Sequence, residues 1–156
     1  MHSIWIPPMS ADSPPFPEIG DLVPHATPML ALERLVEWEP DRARALACLR
    51  PDHPLMRRGS ADACVAIELI TQTVAAYLGM LSFRRGEPVH VGLVVACRKL
   101  ELLRARIEPG ELLTIDVRRV RSGDHVGVFE GEARDAAGLV VAVGNFTLVY
   151  GAQFDV

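Results

Sequence analysis

Four polar side chains in this sequence have the types and surroundings for proton chemistry: Glu68, Gln72, His25 and His53. Glu68 lies in an apolar run that reads as a helix, and Gln72 follows four residues later, on the same helical face. A carboxylate among apolar neighbours is costly unless it is paired or protonated. An acid held in this way can deliver a proton, and a neutral histidine can accept one near physiological pH.

The two histidines are alternative candidates for the base. His25 lies between two prolines, which favour extended or turn geometry around it. His53 lies in the polar loop PDHPLMRRG that precedes the helix. Each has a structural alternative, His25 as a residue bonded to a backbone carbonyl and His53 as ordinary surface. Glu68 could likewise be a structural carboxylate, bonded to Gln72 or to a group across a dimer.

The helix that carries the acid is predicted over residues 62–81. This stretch is rich in Ala and Leu and contains no Pro, which favours a helix. Ser60 or Asp62 is expected to cap its N-terminus. Its apolar residues run almost all round the helix, so we expect the helix to be buried inside the fold.

The rest of the chain reads as β-structure around this helix. A hairpin precedes it, and an antiparallel meander follows it; the predicted strands cover 29–38, 43–49, 89–103, 112–121, 125–134 and 139–150. The start of 89–103 is apolar on both faces, which favours a central strand, and Gly92 within it indicates a bend or a close backbone approach. One buried helix between a hairpin and a meander needs a curved sheet to enclose it. We therefore predict an α+β hotdog fold with about five to seven strands.

Length and composition predict a single domain. The chain has 156 residues, of which 49% are hydrophobic. Residues 1–17 read as a Pro-rich arm and residues 18–156 as the hotdog domain. The net charge of −4 makes neither nucleic acid nor an acidic membrane surface an obvious partner. We expect no apolar run to approach the ~20 residues that span a bilayer.

The sequence favours a cytoplasmic location and no bound cofactor. The N-terminus lacks the basic start of a signal peptide. Cys48, Cys64 and Cys97 show no CxxC spacing and read as reduced core cysteines. No metal-ligand cluster, Gly-rich phosphate loop or GxSxG motif is present, so the sequence predicts no metal site.

Three segments resemble the 3-hydroxyacyl-ACP dehydratases of the FabZ type. LVPHATPMLALERLVEW is similar to their opening, which has Leu-Pro-His, two residues, Pro and then an apolar strand. VAIELITQTVAAYLG resembles their helix, in which Gln follows the catalytic acid by four residues. HVGLVVACRKLELLRARIEPGELLTIDV resembles their long strand and the turn after it. The resemblance covers residues 21–150 and is nearest to the FabZ-like (ApeP-type) enzymes found with aryl polyene synthesis.

One loop departs from the family pattern. FabZ enzymes carry Gly-His-Phe-Pro before the helix, and that His is their base. Here the loop reads DHPLMRRGSAD, with His53 fifteen residues before Glu68. Both His53 and His25 therefore stay candidates for the base.

The resemblance implies dehydration of a 3-hydroxyacyl thioester, carried on the 4′-phosphopantetheine arm of acyl carrier protein, to the trans-2-enoyl form. A histidine would remove the proton alpha to the thioester, and Glu68 would protonate the leaving hydroxyl. Gln72 would orient the acid, and Gly92 would lie at the substrate. Free N–H groups of Ala63 and Cys64, at the positive end of the helix dipole, would stabilise the enolate oxygen.

Paired arginines and the fold itself indicate partners. Arg57–Arg58 and Arg84–Arg85 are candidate docks for the acidic carrier protein or its phosphate, with solvated surface charge as the alternative. The edges of the predicted sheet favour a homodimer or a heterodimer with another hotdog subunit.

Two other functions fit the same residues. The first is an acyl thioesterase, with Glu68 activating water. The second is a noncatalytic partner that completes a heterodimer with a fully equipped hotdog protein, which the altered loop favours.

Overall fold

A long helix, α1, forms the centre of the fold. The computed structural model describes residues 16–154, so residues 1–15 of the predicted arm lie outside the described residues. Helix α1 spans Ala66–Arg85 and follows a 3-10 turn at Ala63–Val65. The strands are β1 Leu32–Glu39, β2 Arg42–Cys48, β3 Ala61–Asp62, β4 Gly92–Leu102, β5 Arg106–Ile107, β6 Leu112–Ser122, β7 Val126–Arg134 and β8 Val140–Tyr150. Further 3-10 turns lie at Ile19–Asp21 and Ala152–Phe154.

Six of these strands form one antiparallel sheet around α1. Their order is β1-β2-β6-β7-β8-β4, and β3 pairs separately with β5. Helix α1 packs against β1, β2, β6, β7 and β8. The predicted α+β hotdog fold is thereby confirmed, and its six main strands lie within the expected range.

The sequence of α1 explains both its ends and its burial. Asp62 accepts a hydrogen bond from the Cys64 N–H at 2.9 Å, which caps the 3-10 turn that opens the helix, as predicted. Gly86 ends the helix in the left-handed conformation, with φ of 67°. Within the helix, a Cβ on Gly79 would lie 1.8 Å from the Leu22 carbonyl oxygen, so only glycine allows this approach.

The same helix meets the length and composition test for a membrane span. Among the described residues, Ala63–Arg85 is long and apolar enough to cross a bilayer, with mean hydropathy 1.6. The expectation that no run approaches this length was therefore wrong. The core helix of a globular domain passes the same test, and 56% of this apolar stretch is buried inside the fold.

Strand β4 lies at the edge of the sheet, and its predicted central position was wrong. It pairs with β8 on one side, and no other described strand pairs with its second side. Leu93, Val94 and Val95 are each about half exposed there. A strand that is apolar on both faces is typical of a central position, but the pattern does not show on which side a neighbouring strand lies, which explains the error.

Candidate functional site

Glu68 and His25 face each other at the N-terminal end of α1. Glu68 lies in the first turn of the helix, and His25 lies in the loop between the first 3-10 turn and β1. The distance from His25 Nε2 to Glu68 Oε1 is 3.7 Å. Their side chains are 32% and 29% exposed, so Glu68 is less buried than the apolar helix predicted. Both side chains are accessible to a substrate. They are close enough for one to take a proton from a bound substrate while the other donates a proton to it.

The other ring nitrogen of His25 points into the protein. His25 Nδ1 is buried and finds no hydrogen-bond partner among residues 16–154. Reaction with an external group is therefore left to Nε2, the nitrogen that faces Glu68.

Gln72 fixes Glu68, as the spacing predicted. Its side chain is fully buried and makes three hydrogen bonds: Oε1 accepts from Ala31 N–H at 3.0 Å, and Nε2 donates to Met29 O at 2.9 Å and to Glu68 Oε1 at 2.7 Å. The first two partners determine which end of the amide is which, because a backbone N–H only donates and a carbonyl only accepts. Gln72 therefore links the helix to the loop that carries His25.

That loop has its own turn. The N–H groups of Met29 and Leu30 both donate to Ala26 O, at 3.0 and 3.1 Å. The turn begins one residue after His25. Because Gln72 bonds to Met29 O within this turn, it also helps to fix the position of His25.

His53, the other candidate base, is buried, so the alternative of ordinary surface does not hold either. It is 5% exposed, and both ring nitrogens are engaged. Nδ1 accepts from Leu55 N–H at 3.2 Å, and Nε2 contacts Met29 O at 3.1 Å. Neither nitrogen is left to accept a proton from a substrate in this arrangement.

The N–H groups expected to bind an enolate oxygen are already used. Ala63 N–H donates to Ala105 O at 2.9 Å, and Cys64 N–H donates to the Asp62 carboxylate. The premise that these two donors are free was therefore wrong. The bond from Cys64 lowers the pKa of Asp62, and the nearby carboxylate raises the pKa of the Cys64 thiol, which disfavours a reactive thiolate.

The Arg57–Arg58 pair lies on an ordered, exposed turn just before the helix. Arg57 and Ser60 bridge each other, and Arg58 takes a left-handed conformation with φ of 53°. Arg106 holds this turn: its guanidinium donates to Arg57 O at 3.0 Å, Ser60 O at 3.1 Å and Ser60 Oγ at 2.8 Å. Sequence reasoning missed Arg106, because its partners are mostly backbone carbonyls.

The Arg84–Arg85 pair lies at the opposite end of α1. Arg85 lies seventeen positions after Glu68, which corresponds to roughly 25 Å along a helix. The Arg84 guanidinium stacks over the ring of Trp38, 4.9 Å from its centroid. Arg85 lines a surface cavity of about 390 Å³ together with His90, His125 and Tyr150.

Gly92, which the resemblance placed at the substrate, lies away from Glu68 in the structure. Gly92 is the first residue of β4, paired with Tyr150 at the sheet edge, where the structure does not connect it to Glu68. Within residues 16–154, no three His, Cys, Asp or Glu side chains are grouped to hold a metal ion.

Comparison with known proteins gives one family. The model of the ApeP-like family, described as ApeP dehydratase, matches residues 17–155. The 3-hydroxyacyl-[acyl-carrier-protein] dehydratase FabZ of Natranaerobius thermophilus is 28% identical over 121 residues, covering 74% of this chain and 82% of that protein.

Solved structures give the fold. The dehydratase heterocomplex ApeI:P from Xenorhabdus doucetiae aligns with a TM-score of 0.82 and 20% identity, over 88% of this chain and 93% of that one. The PaaI protein of the E. coli phenylacetic acid degradation operon aligns with a TM-score of 0.57 and 16% identity, over 74% and 80% of the two chains. At these identities, the structural likeness shows the hotdog fold alone.

Proposed function

The chain belongs to the ApeP-like dehydratase family, and we propose that it removes water from a 3-hydroxyacyl thioester carried by acyl carrier protein, giving the trans-2-enoyl thioester. The acyl chain would belong to fatty-acid-like or aryl polyene synthesis in the cytoplasm. The observation that carries the proposal is the His25–Glu68 pair, 3.7 Å apart and partly open to solvent. A base and an acid at this separation can act on adjacent carbons of one substrate.

In the proposed reaction, His25 is the base and Glu68 is the acid. His25 Nε2 takes the proton from the alpha carbon, and the C–H electron pair forms the new double bond to the beta carbon. As that double bond forms, the C–O bond at the beta carbon breaks with its electron pair, and the leaving oxygen takes a proton from Glu68 to become water. The proton gained by His25 returns to Glu68, directly or through solvent, and the pair is ready for another turnover.

His25 is favoured over His53 by the hydrogen bonds of the two rings. Both nitrogens of His53 are engaged, and the side chain is almost fully buried. His25 presents Nε2 toward the acid from a partly exposed position. Geometry comes first in selecting a base, and only His25 satisfies it here.

For the carrier, we propose the turn with Arg57 and Arg58 as the dock. Both side chains are exposed, and the turn directly precedes the end of the helix that carries Glu68. Arg106 fixes the backbone of this turn, so its charges are presented from a defined position. The alternative pair is less suited, because Arg84 already stacks on Trp38 and lies far from Glu68.

For assembly, we propose that a second hotdog subunit pairs along β4. The strand has 11 residues, an edge with no partner among the described strands and exposed apolar residues along its length. Such an edge promotes strand pairing unless it is covered. The heteromeric state of ApeI:P supports a partner that differs in sequence, while a second copy of this chain is the alternative.

The direct test uses the purified chain, alone and mixed with a second hotdog subunit. A 3-hydroxyacyl carrier protein is the substrate, and intact-mass spectrometry follows it. Loss of the mass of one water from the carrier is the expected result. Release of free carrier thiol would indicate a thioesterase instead, and an unchanged substrate in both samples would contradict the proposal.

A further inference from the structure

We propose that His53 is a positioning residue for the acid–base pair, acting through the carbonyl group of Met29. This inference rests on the proposed function, because it assigns His53 a role at the same site without contact with the substrate. It starts from the two hydrogen bonds of the buried imidazole.

The partners of the ring determine its tautomer. Leu55 N–H can only donate, so Nδ1 of His53 must be the bare nitrogen that accepts this bond. Met29 O can only accept, so Nε2 must carry the hydrogen. The ring of His53 thus donates from Nε2 and accepts at Nδ1.

The Met29 carbonyl joins His53 to the catalytic groups. It accepts from His53 Nε2 at 3.1 Å and from Gln72 Nε2 at 2.9 Å, which uses both of its lone pairs. The second hydrogen of Gln72 Nε2 bonds to Glu68. Without the bond from His53, the carbonyl would keep only the bond from Gln72, and the two groups would shift together.

The same carbonyl belongs to the loop that holds the base. Met29 N–H bonds to Ala26 O, and Ala26 follows His25 directly. A displacement of Met29 therefore acts on the acid through Gln72 and on the base through the turn. Misplacement of about 1 Å in a reacting pair can cost on the order of 10²-fold in rate.

Two substitutions separate the two bonds of the ring. In His53→Gln, the amide nitrogen can occupy the place of Nε2 and donate to Met29 O, while the bond from Leu55 is lost. In His53→Asn, the shorter side chain can still accept from Leu55 N–H, two residues on, but cannot reach Met29. His125→Asn and His125→Gln, made in the exposed turn before β7, are the matched controls.

The activity measurement compares kcat and KM with carrier-bound substrate for the complete assembly. His53→Asn is expected to lower kcat by about 10–100-fold with little change in KM. His53→Gln should stay within a few-fold of wild type. Equal losses in both variants would overturn the proposal, because the imidazole would then matter only for packing. No loss in His53→Asn would overturn it as well, because the bond to Met29 O would then have no effect on turnover.

An NMR measurement tests the same inference without turnover. Long-range ¹H–¹⁵N spectra should show His53 protonated at Nε2. At a fixed pH, His53→Asn should move the ring signals of His25 and the amide signal of Ala31, and His53→Gln should leave both near their wild-type positions. Unchanged signals in both variants, or an Nδ1-protonated His53, would overturn the proposal. If the wild-type assembly fails to dehydrate its substrate, the proposed function is wrong, and these spectra still decide the positioning role.

Discussion

The substitution Gln72→Glu tests the bond network at the site most sharply, because it changes one donor group and almost no volume. The new carboxyl can still accept from Ala31 N–H. It replaces the amide donor, however, with an oxygen that faces Glu68 Oε1 at 2.7 Å and Met29 O at 2.9 Å. Two ionised carboxylates at that separation repel by about 6 kcal/mol at an effective dielectric constant of about 20.

The variant therefore has to hold a proton on one of the two carboxyl groups. The ordinary pKa of a glutamate side chain is about 4.3, so keeping one protonated at pH 7 costs about 3–4 kcal/mol. At pH 5 the same cost is only about 1 kcal/mol. A group whose pKa is raised on folding loses its stabilising contribution as the pH rises, so the penalty of Gln72→Glu must grow from pH 5 to pH 7.

The assay is urea unfolding of wild type and variant at both pH values and at one protein concentration. Gln153→Glu, on an exposed residue of the last 3-10 turn, introduces the same charge and should change stability by less than about 0.5 kcal/mol at either pH. A penalty for Gln72→Glu below about 1 kcal/mol at pH 7, or one equal at both pH values, would refute the bond network.

Three other predictions address docking, assembly and the helix. Reversing Arg57 and Arg58 to Glu should raise KM for carrier-bound substrate about tenfold at low salt and leave turnover of small thioesters unchanged, since charge pairing acts mainly on association; equal loss with both substrates would contradict it. Val95→Lys on β4 should weaken pairing with the second hotdog subunit in sedimentation velocity, whereas Leu139→Lys, in an exposed turn, should not; equal effects would argue against the β4 interface. Gly79→Ala should lower the free energy of unfolding by at least about 1–3 kcal/mol, because its Cβ would overlap a backbone carbonyl, and a wild-type melting temperature would refute that contact.

The fold followed from patterns that the sequence displays directly. An apolar helix with no exposed face, between a hairpin and alternating strands, has few ways to be enclosed, and a curved sheet is one of them. The two-residue strands β3 and β5 were missed because so short a segment carries no periodic pattern. The edge position of β4 was missed because a run that is apolar on both faces is typical of a central strand and does not show on which side a neighbouring strand lies.

The site was predictable only where one helix determines it. The four-residue spacing of Glu68 and Gln72 predicted their contact, and the structure confirms it at 2.7 Å. The role of Met29 was not predictable, since every residue has a backbone carbonyl and the sequence does not show which of them accepts bonds from His53 and Gln72. For the same reason, the sequence did not predict that the Ala63 N–H donates to a carbonyl 42 residues further along the chain.

The central claim is that His25 and Glu68 act as one acid–base unit, and a double-mutant cycle on the chemical step tests it most directly. Single-turnover rates of water loss from a 3-hydroxyacyl carrier protein would be compared for wild type, Glu68→Gln, His25→Ala and the double variant. Each single change should slow the step by about 10²–10⁴-fold, the usual contribution of general acid–base catalysis, with little change in melting temperature. The double variant should be about as slow as the slower single variant, because groups that act as a unit are not additive. Single variants within a few-fold of wild type would contradict the claim, as would losses that multiply in the double variant.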